Sequence, residues 1–90
     1  MINFGEIILN ENTRDVIVFF ARSKNGISYP QLDGFFSRYR QEVHQTGEFL
    51  TTIENLIQEK VIVIDAKMTV IKGPNWKEPK FVTEKKYGIV

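Results

Sequence analysis

The amino-acid sequence predicts one α+β domain in which three helices pack with a small antiparallel β-sheet. Three observations carry that reading. Phe49, Leu50, Ile53, Leu56 and Ile57 recur at helical spacing. Two runs rich in β-branched residues, Val61 to Asp65 and Met68 to Ile71, flank a short turn at Ala66-Lys67 and read as a hairpin. A chain of 90 residues holds enough apolar material for one core and no second one.

Taken from the start, Ile2, Phe4, Ile7, Ile8 and Leu9 around Gly5 suggest that residues 1–11 form a first strand or an arm on the body. Asn12-Thr13-Arg14-Asp15 supplies a cap and an early-turn acid, and Asn25-Gly26 is a stop signal, so a helix is expected from about Thr13 to Lys24. Ile27-Ser28-Tyr29 is a short extended piece before Pro30, which suits the first turn of a second helix. Leu32, Phe35, Phe36, Tyr39 and Val43 then line one helical face. Gly34 interrupts that segment, and close packing against a neighbour is expected there. The third helix spans about residues 47–59. After the hairpin, Lys72 to Pro79 is a loop, and Lys80-Phe81-Val82-Thr83-Glu84 alternates like an edge strand.

Composition excludes several classes. Apolar residues make up 42% of the chain and charged residues 26%, the balance of a folded globular protein rather than a disordered one. Without cysteine there is neither a disulfide framework nor a thiolate metal site. No basic leader with a small-residue cleavage site opens the chain, and no run approaches the roughly 18 to 20 apolar residues of a membrane span. A cytoplasmic protein without membrane contact is therefore expected. Charge is uneven: residues 1–59 carry five Lys or Arg against eight acids, and residues 60–90 carry seven Lys against three acids. A basic segment of this kind suits either nucleic-acid contact or a solubilised sheet edge.

Helix, short strand, helix, turn, helix and hairpin is the order of a winged helix-turn-helix domain. Gly26-Ile27-Ser28-Tyr29-Pro30-Gln31-Leu32, the run from Phe49 to Ile62, and Lys80 to Gly88 resemble that superfamily over about residues 13–88, with residues 66–80 as the wing loop. In its DNA-binding members the helix matching residues 47–59 enters the major groove. Here its outer face would carry Glu48, Thr51, Thr52, Glu54, Asn55, Gln58 and Glu59, with no Lys or Arg before Lys60. Carboxylates there oppose the phosphate charge and forgo counterion release. The loop from Lys72 to Phe81 resembles small bacterial toxin-neutralising immunity proteins, whose known role implies a toxin domain as protein partner.

The site residues follow from these two resemblances. For a protein partner they are Trp76, Asn75 and Lys77 on the loop with Glu48, Thr51, Thr52, Glu54, Asn55 and Gln58 on the third helix. For duplex DNA they are Arg38 and Arg40 on the second helix with Lys67, Lys72, Lys77 and Lys80, joined by Lys85 and Lys86. Trp76, between Pro74 and Pro79, reads either as filler at the base of the wing or as an exposed hot spot. His44, the single histidine, reads as an exposed turn residue, since neither further metal ligands nor a nucleophile accompany it. Asp33, Glu42 and Glu54 show no pairing for acid/base work, and Gly73-Pro74-Asn75 lacks the elements of a phosphate-cradling loop. No enzyme activity, cofactor or metal is expected.

Overall fold

The structure, a computed structural model, describes residues 3–88. Each early helix begins where a short polar side chain satisfies a free backbone N–H. Asn3 Oδ1 accepts from the Glu6 amide at 3.0 Å and starts α1 (Phe4–Asn10); Asn12 Oδ1 accepts from Asp15 at 2.8 Å and starts α2 (Thr13–Phe20). The first element is thus a helix and not a strand or arm. Phe4, Ile7 and Ile8 stand one turn apart, and Ile7 and Ile8 are fully buried. Ile2, part of the expected arm, lies outside the described residues.

α2 ends about one turn before Lys24. The Arg22 amide closes a tight turn on the Phe19 carbonyl, and Ser23 and Gly26 then bond to each other through Gly26 N to Ser23 O and Ser23 Oγ to Gly26 O, both 3.0 Å. Gly26 is required at this bend. Its φ is +68°, and a Cβ there would stand 2.2 Å from the Val70 carbonyl oxygen.

β1 (Ile27–Ser28) leads directly into α3 (Tyr29–Tyr39), whose cap is the Ser28 hydroxyl on the Gln31 amide with Pro30 in the first turn. The second helix does not run on to Val43. Arg40 takes a non-helical backbone (φ −145°, ψ 62°) and splits it into α3 and α4 (Glu42–Gln45). Gly34 has open space where a Cβ would stand, so no close packing explains it.

α5 (Glu48–Gln58) buries Phe49, Ile53 and Leu56, and ends with Lys60 in the left-handed region at φ 63°. Val61 N bonds to Leu56 O and Lys60 N to Ile57 O, the double bond pattern that closes a helix C-terminus, with lysine in the place glycine favours. β2 (Ile62–Ile64) and β3 (Thr69–Lys72) form an antiparallel hairpin with Val63 opposite Ile71. Asp65 makes its turn by accepting from the amides of Lys67 and Thr69 at 2.9 and 3.0 Å.

The third strand is β1, in the order β1-β3-β2, with Ile27 opposite Val70. Both edges of β3 are thereby filled. Lys80–Glu84, expected as an edge strand, instead forms a helical turn α6 (Lys80–Thr83) that begins after Pro79 and buries Phe81 and Val82. Residues 66–80 are accordingly not one wing loop but the hairpin turn, β3 and a separate loop over 73–79. The architecture is α+β, six helices with a three-stranded antiparallel sheet among the described residues. Ile27, Ile62 and Val70 turn one sheet face toward a core completed by Val16, Phe19, Leu32 and Phe36. Every buried side-chain N or O among the described residues has a hydrogen-bond partner.

Candidate functional site

α5 carries two exposed aliphatic side chains on its outer surface. A helix turns 3.6 residues per turn, so Leu50, Glu54 and Ile57 fall in one row along it. Leu50 is 55% exposed and Ile57 41% exposed. Helical spacing alone assigns both to the buried face with Phe49, Ile53 and Leu56. In the fold they lie at its margin, where no element covers them. Thr52, expected outward, is half-buried, while Thr51, Glu54, Asn55 and Gln58 face solvent.

The carboxylates of this helix are not equivalent. Glu48 accepts the hydroxyl hydrogen of Thr13, which is 4% exposed, and stands 3.7 Å from an Arg40 guanidinium nitrogen. Glu59 takes two bonds from Arg14 at 2.9 and 3.1 Å, and these hold its carboxyl below the usual range. Glu48 and the C-cap residue Glu59 therefore stitch α5 to α2 and to Arg40. Glu54 pairs with no cation among the described residues, so the open part of the face is two aliphatic side chains around one free carboxylate, bordered by hydroxyl and amide groups.

The 73–79 loop is fastened through Gly73, Asn75 and Trp76. Gly73 N reaches Val61 O at 2.9 Å, Asn75 N reaches Lys60 O at 2.9 Å, and the Asn75 side-chain amide donates to Glu59 O at 3.0 Å. Gly73 permits that approach, since a Cβ there would stand 2.3 Å from the Lys60 carbonyl oxygen. The Trp76 indole N–H donates to Val18 O of α2 at 2.9 Å, and Lys72 Nζ sits 4.3 Å from the ring centroid on its face. Of the two ways of reading Trp76, the geometry gives it a half-buried place against the core. Lys77 beside it is exposed.

The remaining basic residues are dispersed. Lys67 lies at the hairpin turn, Lys72 is committed to the Trp76 face, and Lys80 opens α6. Arg38 is exposed, 5.6 Å from the Tyr39 ring centroid. Arg40 is a structural hub: it donates to Glu11 O at 2.9 Å and to Glu42 at 3.1 Å as well as facing Glu48. Its own non-helical backbone is the break between α3 and α4. Lys85 stands just after α6, and Lys86 pairs with Glu84 at 3.6 Å.

His44 is not the exposed turn residue the sequence suggests. It is half-buried in α4, with Nε2 3.2 Å from the Asp33 carbonyl oxygen and its ring 4.9 Å from that of Phe49. Its interactions are those of a packed side chain. No group of three or more His, Cys, Asp or Glu residues placed to hold a metal occurs among the described residues. No helix among them is long and apolar enough to cross a membrane. Asp33, Glu42 and Glu54 do not converge: Asp33 faces His44, Glu42 faces Arg40, and Glu54 stands alone on α5. Compared with protein-family models, curated proteins and solved structures, the chain matches none of them, and its own geometry is what speaks for its function.

Proposed function

We propose that this chain is a non-catalytic protein-binding module, most concretely an immunity-type protein that binds and neutralises a bacterial toxin domain through the outer face of α5. We read its arrangement as winged-helix-like, on the order of helix, strand, helix, helix and hairpin and on the sheet order β1-β3-β2. The observation that carries the functional reading is the Leu50, Glu54 and Ile57 row. Exposed aliphatic side chains gain from burial at about 25 cal/mol per Å² of apolar surface removed from water. A lone unpaired carboxylate between them selects a basic partner and discourages an acidic one. Phosphate backbones are disfavoured on the same ground.

The alternative, duplex DNA held by the lysines of residues 60–90, is favoured by the charge excess of that segment alone. α5 brings no cation to it.

Two measurements test the proposal together. Fluorescence anisotropy with random duplex DNA at physiological salt is expected to show no binding; a micromolar Kd that weakens steeply with added salt overturns the reading. In a growth assay, co-expression with the polypeptide of the neighbouring reading frame is expected to relieve its toxicity, and the double substitution Leu50→Asp, Ile57→Asp to abolish relief while the variant stays folded. Full relief by that variant removes α5 as the binding face.

A further inference from the structure

α1, α2, β1 and α3 enclose a surface cleft of about 260 Å³ that shares no residue with α5. Its walls are Phe4, Phe19, Phe20 and Phe35, and Arg22 and Gln31 stand in its lining. The rings form a continuous aromatic surface. Phe20 and Phe35 stack at 5.2 Å with planes 16° apart, and Phe4 leans on Phe20 at 5.4 Å and on Phe19 at 6.2 Å. Phe19 is buried, whereas Phe20 and Phe35 are partly buried and Phe4 is 43% exposed, so the aromatic surface opens outward.

Arg22 gives the cleft its sign. Its guanidinium lies 4.6 Å over the Phe19 ring centroid, which fixes it beside the aromatic wall. Among the described residues it forms no ion pair and no side-chain hydrogen bond. Its planar fork of N–H donors matches a carboxylate in two parallel bonds. A phosphate dianion would call for more than this one cation. The volume lies just below the roughly 300 Å³ at which pockets for drug-sized ligands begin. It suits a single small ring system and is too small for a nucleotide.

We propose that this cleft is a binding site for a small planar aromatic carboxylate, its ring against Phe4, Phe20 and Phe35 and its carboxylate on Arg22. The site is independent of the α5 face and stands or falls separately from the protein-binding reading.

The test is an amide-resolved NMR titration of the full chain with indole-3-acetate, indole-3-acetamide and cyclohexylacetate. The acid is expected to shift the Ser23 and Gly26 amides saturably, with a Kd between about 20 μM and 1 mM, the range open to a ligand of roughly a dozen non-hydrogen atoms. The amide and the saturated acid are each expected to bind at least about tenfold more weakly, because one lacks the charge-assisted bonds and the other the aromatic stacking. Arg22→Gln should bring the acid down to the affinity of the amide without moving the unfolding midpoint, since Arg22 is half-exposed. Shifts that stay linear with concentration, equal binding of acid and amide by the wild type, or undiminished affinity in Arg22→Gln overturn the proposal. Equal binding of indole-3-acetate and cyclohexylacetate overturns its aromatic specificity.

Discussion

Trp76 and Leu50 are both large apolar side chains on the outer layer of this domain, and their surroundings are opposite. The Trp76 indole N–H is bonded to the Val18 carbonyl and its face is covered by Lys72; Leu50 is 55% exposed and shares its row with Glu54 and Ile57. The aromatic residue, flanked by prolines on a loop, has the chemistry usually found in hot spots. It is nevertheless used to pin its own loop to α2. The aliphatic residue, which periodicity assigns to the core, is left uncovered. What a side chain offers depends on whether its polar edge and its flanks are already satisfied, and residue type alone does not report that.

The largest effect belongs to the buried side of the same helix. Ile53, 2% exposed, should lose about 2 to 5 kcal/mol on truncation to alanine, and a loss under about 1 kcal/mol by chemical denaturation would show that α5 is rotated from the orientation described. Trp76→Ala should come next. Because the ring is only partly buried, the expected cost falls at or below the lower end of the roughly 3 to 5 kcal/mol typical of a core aromatic. Trp76→Phe, which keeps a smaller aromatic ring and loses the bond to Val18, should recover part of it. An unchanged midpoint for Trp76→Ala would break the comparison by making the indole a free surface group.

Smaller and opposite in sign is Lys60→Gly. Lysine holds a left-handed backbone at the end of α5, and glycine should raise stability by up to about 1 kcal/mol there. Leu50→Ser and Ile57→Ser should move the unfolding free energy by no more than about 0.5 kcal/mol each, as substitutions on an open surface do; a cost above about 1.5 kcal/mol would mean that this row is covered after all.

The least effect concerns the α2 to α5 seam and is read as a pH slope. Arg14 keeps the folded Glu59 carboxyl below its ordinary value of 4.5, so the pair stabilises the fold above that value, and the contribution disappears as pH falls through the lower folded value. Glu59→Gln should flatten the acid limb of the stability curve slightly and leave it unchanged near neutrality apart from the loss of an exposed pair. An identical acid limb in the two proteins would show that the seam contributes nothing.

Elements with local signals were legible in the sequence. Asn12 capping α2, Pro30 near the start of α3, the apolar spacing of α5 and the two β-branched runs each depend on neighbours within about four residues, where propensity and periodicity operate. Most of the failures are non-local. The break at Arg40 accompanies a guanidinium that reaches Glu11, 29 residues away in the chain, and Glu48 on α5, both beyond the reach of helical periodicity. The third strand is β1 rather than Lys80–Glu84 because a sheet edge accepts one neighbour, and local alternation cannot report which segment arrives there. α1 was missed although a signal existed, since Asn3 is a cap and Phe4, Ile7 and Ile8 have helical spacing. On the candidate face, the outward placement of Thr51, Glu54, Asn55 and Gln58 was legible from their polarity. Leu50 and Ile57 were hidden by their apolarity, since position at the margin of a buried stripe is a tertiary property.

The two bonds that tie the C-terminal third to the start of the chain have a temporal consequence. Trp76 and Val18 lie 58 residues apart, and Tyr87 and Glu11 lie 76 apart. Contacts so distant in sequence require large loops to close, whereas the helices and the hairpin close small ones. During synthesis, α1 and α2 must leave the ribosome long before the segment that covers them. Until Phe81 is available to meet Phe19, at a ring separation of 5.4 Å in the finished fold, that side of α2 stays wet. The segment around Phe81 therefore completes the shell over α2, and the order of translation sets how long that apolar surface waits for its cover.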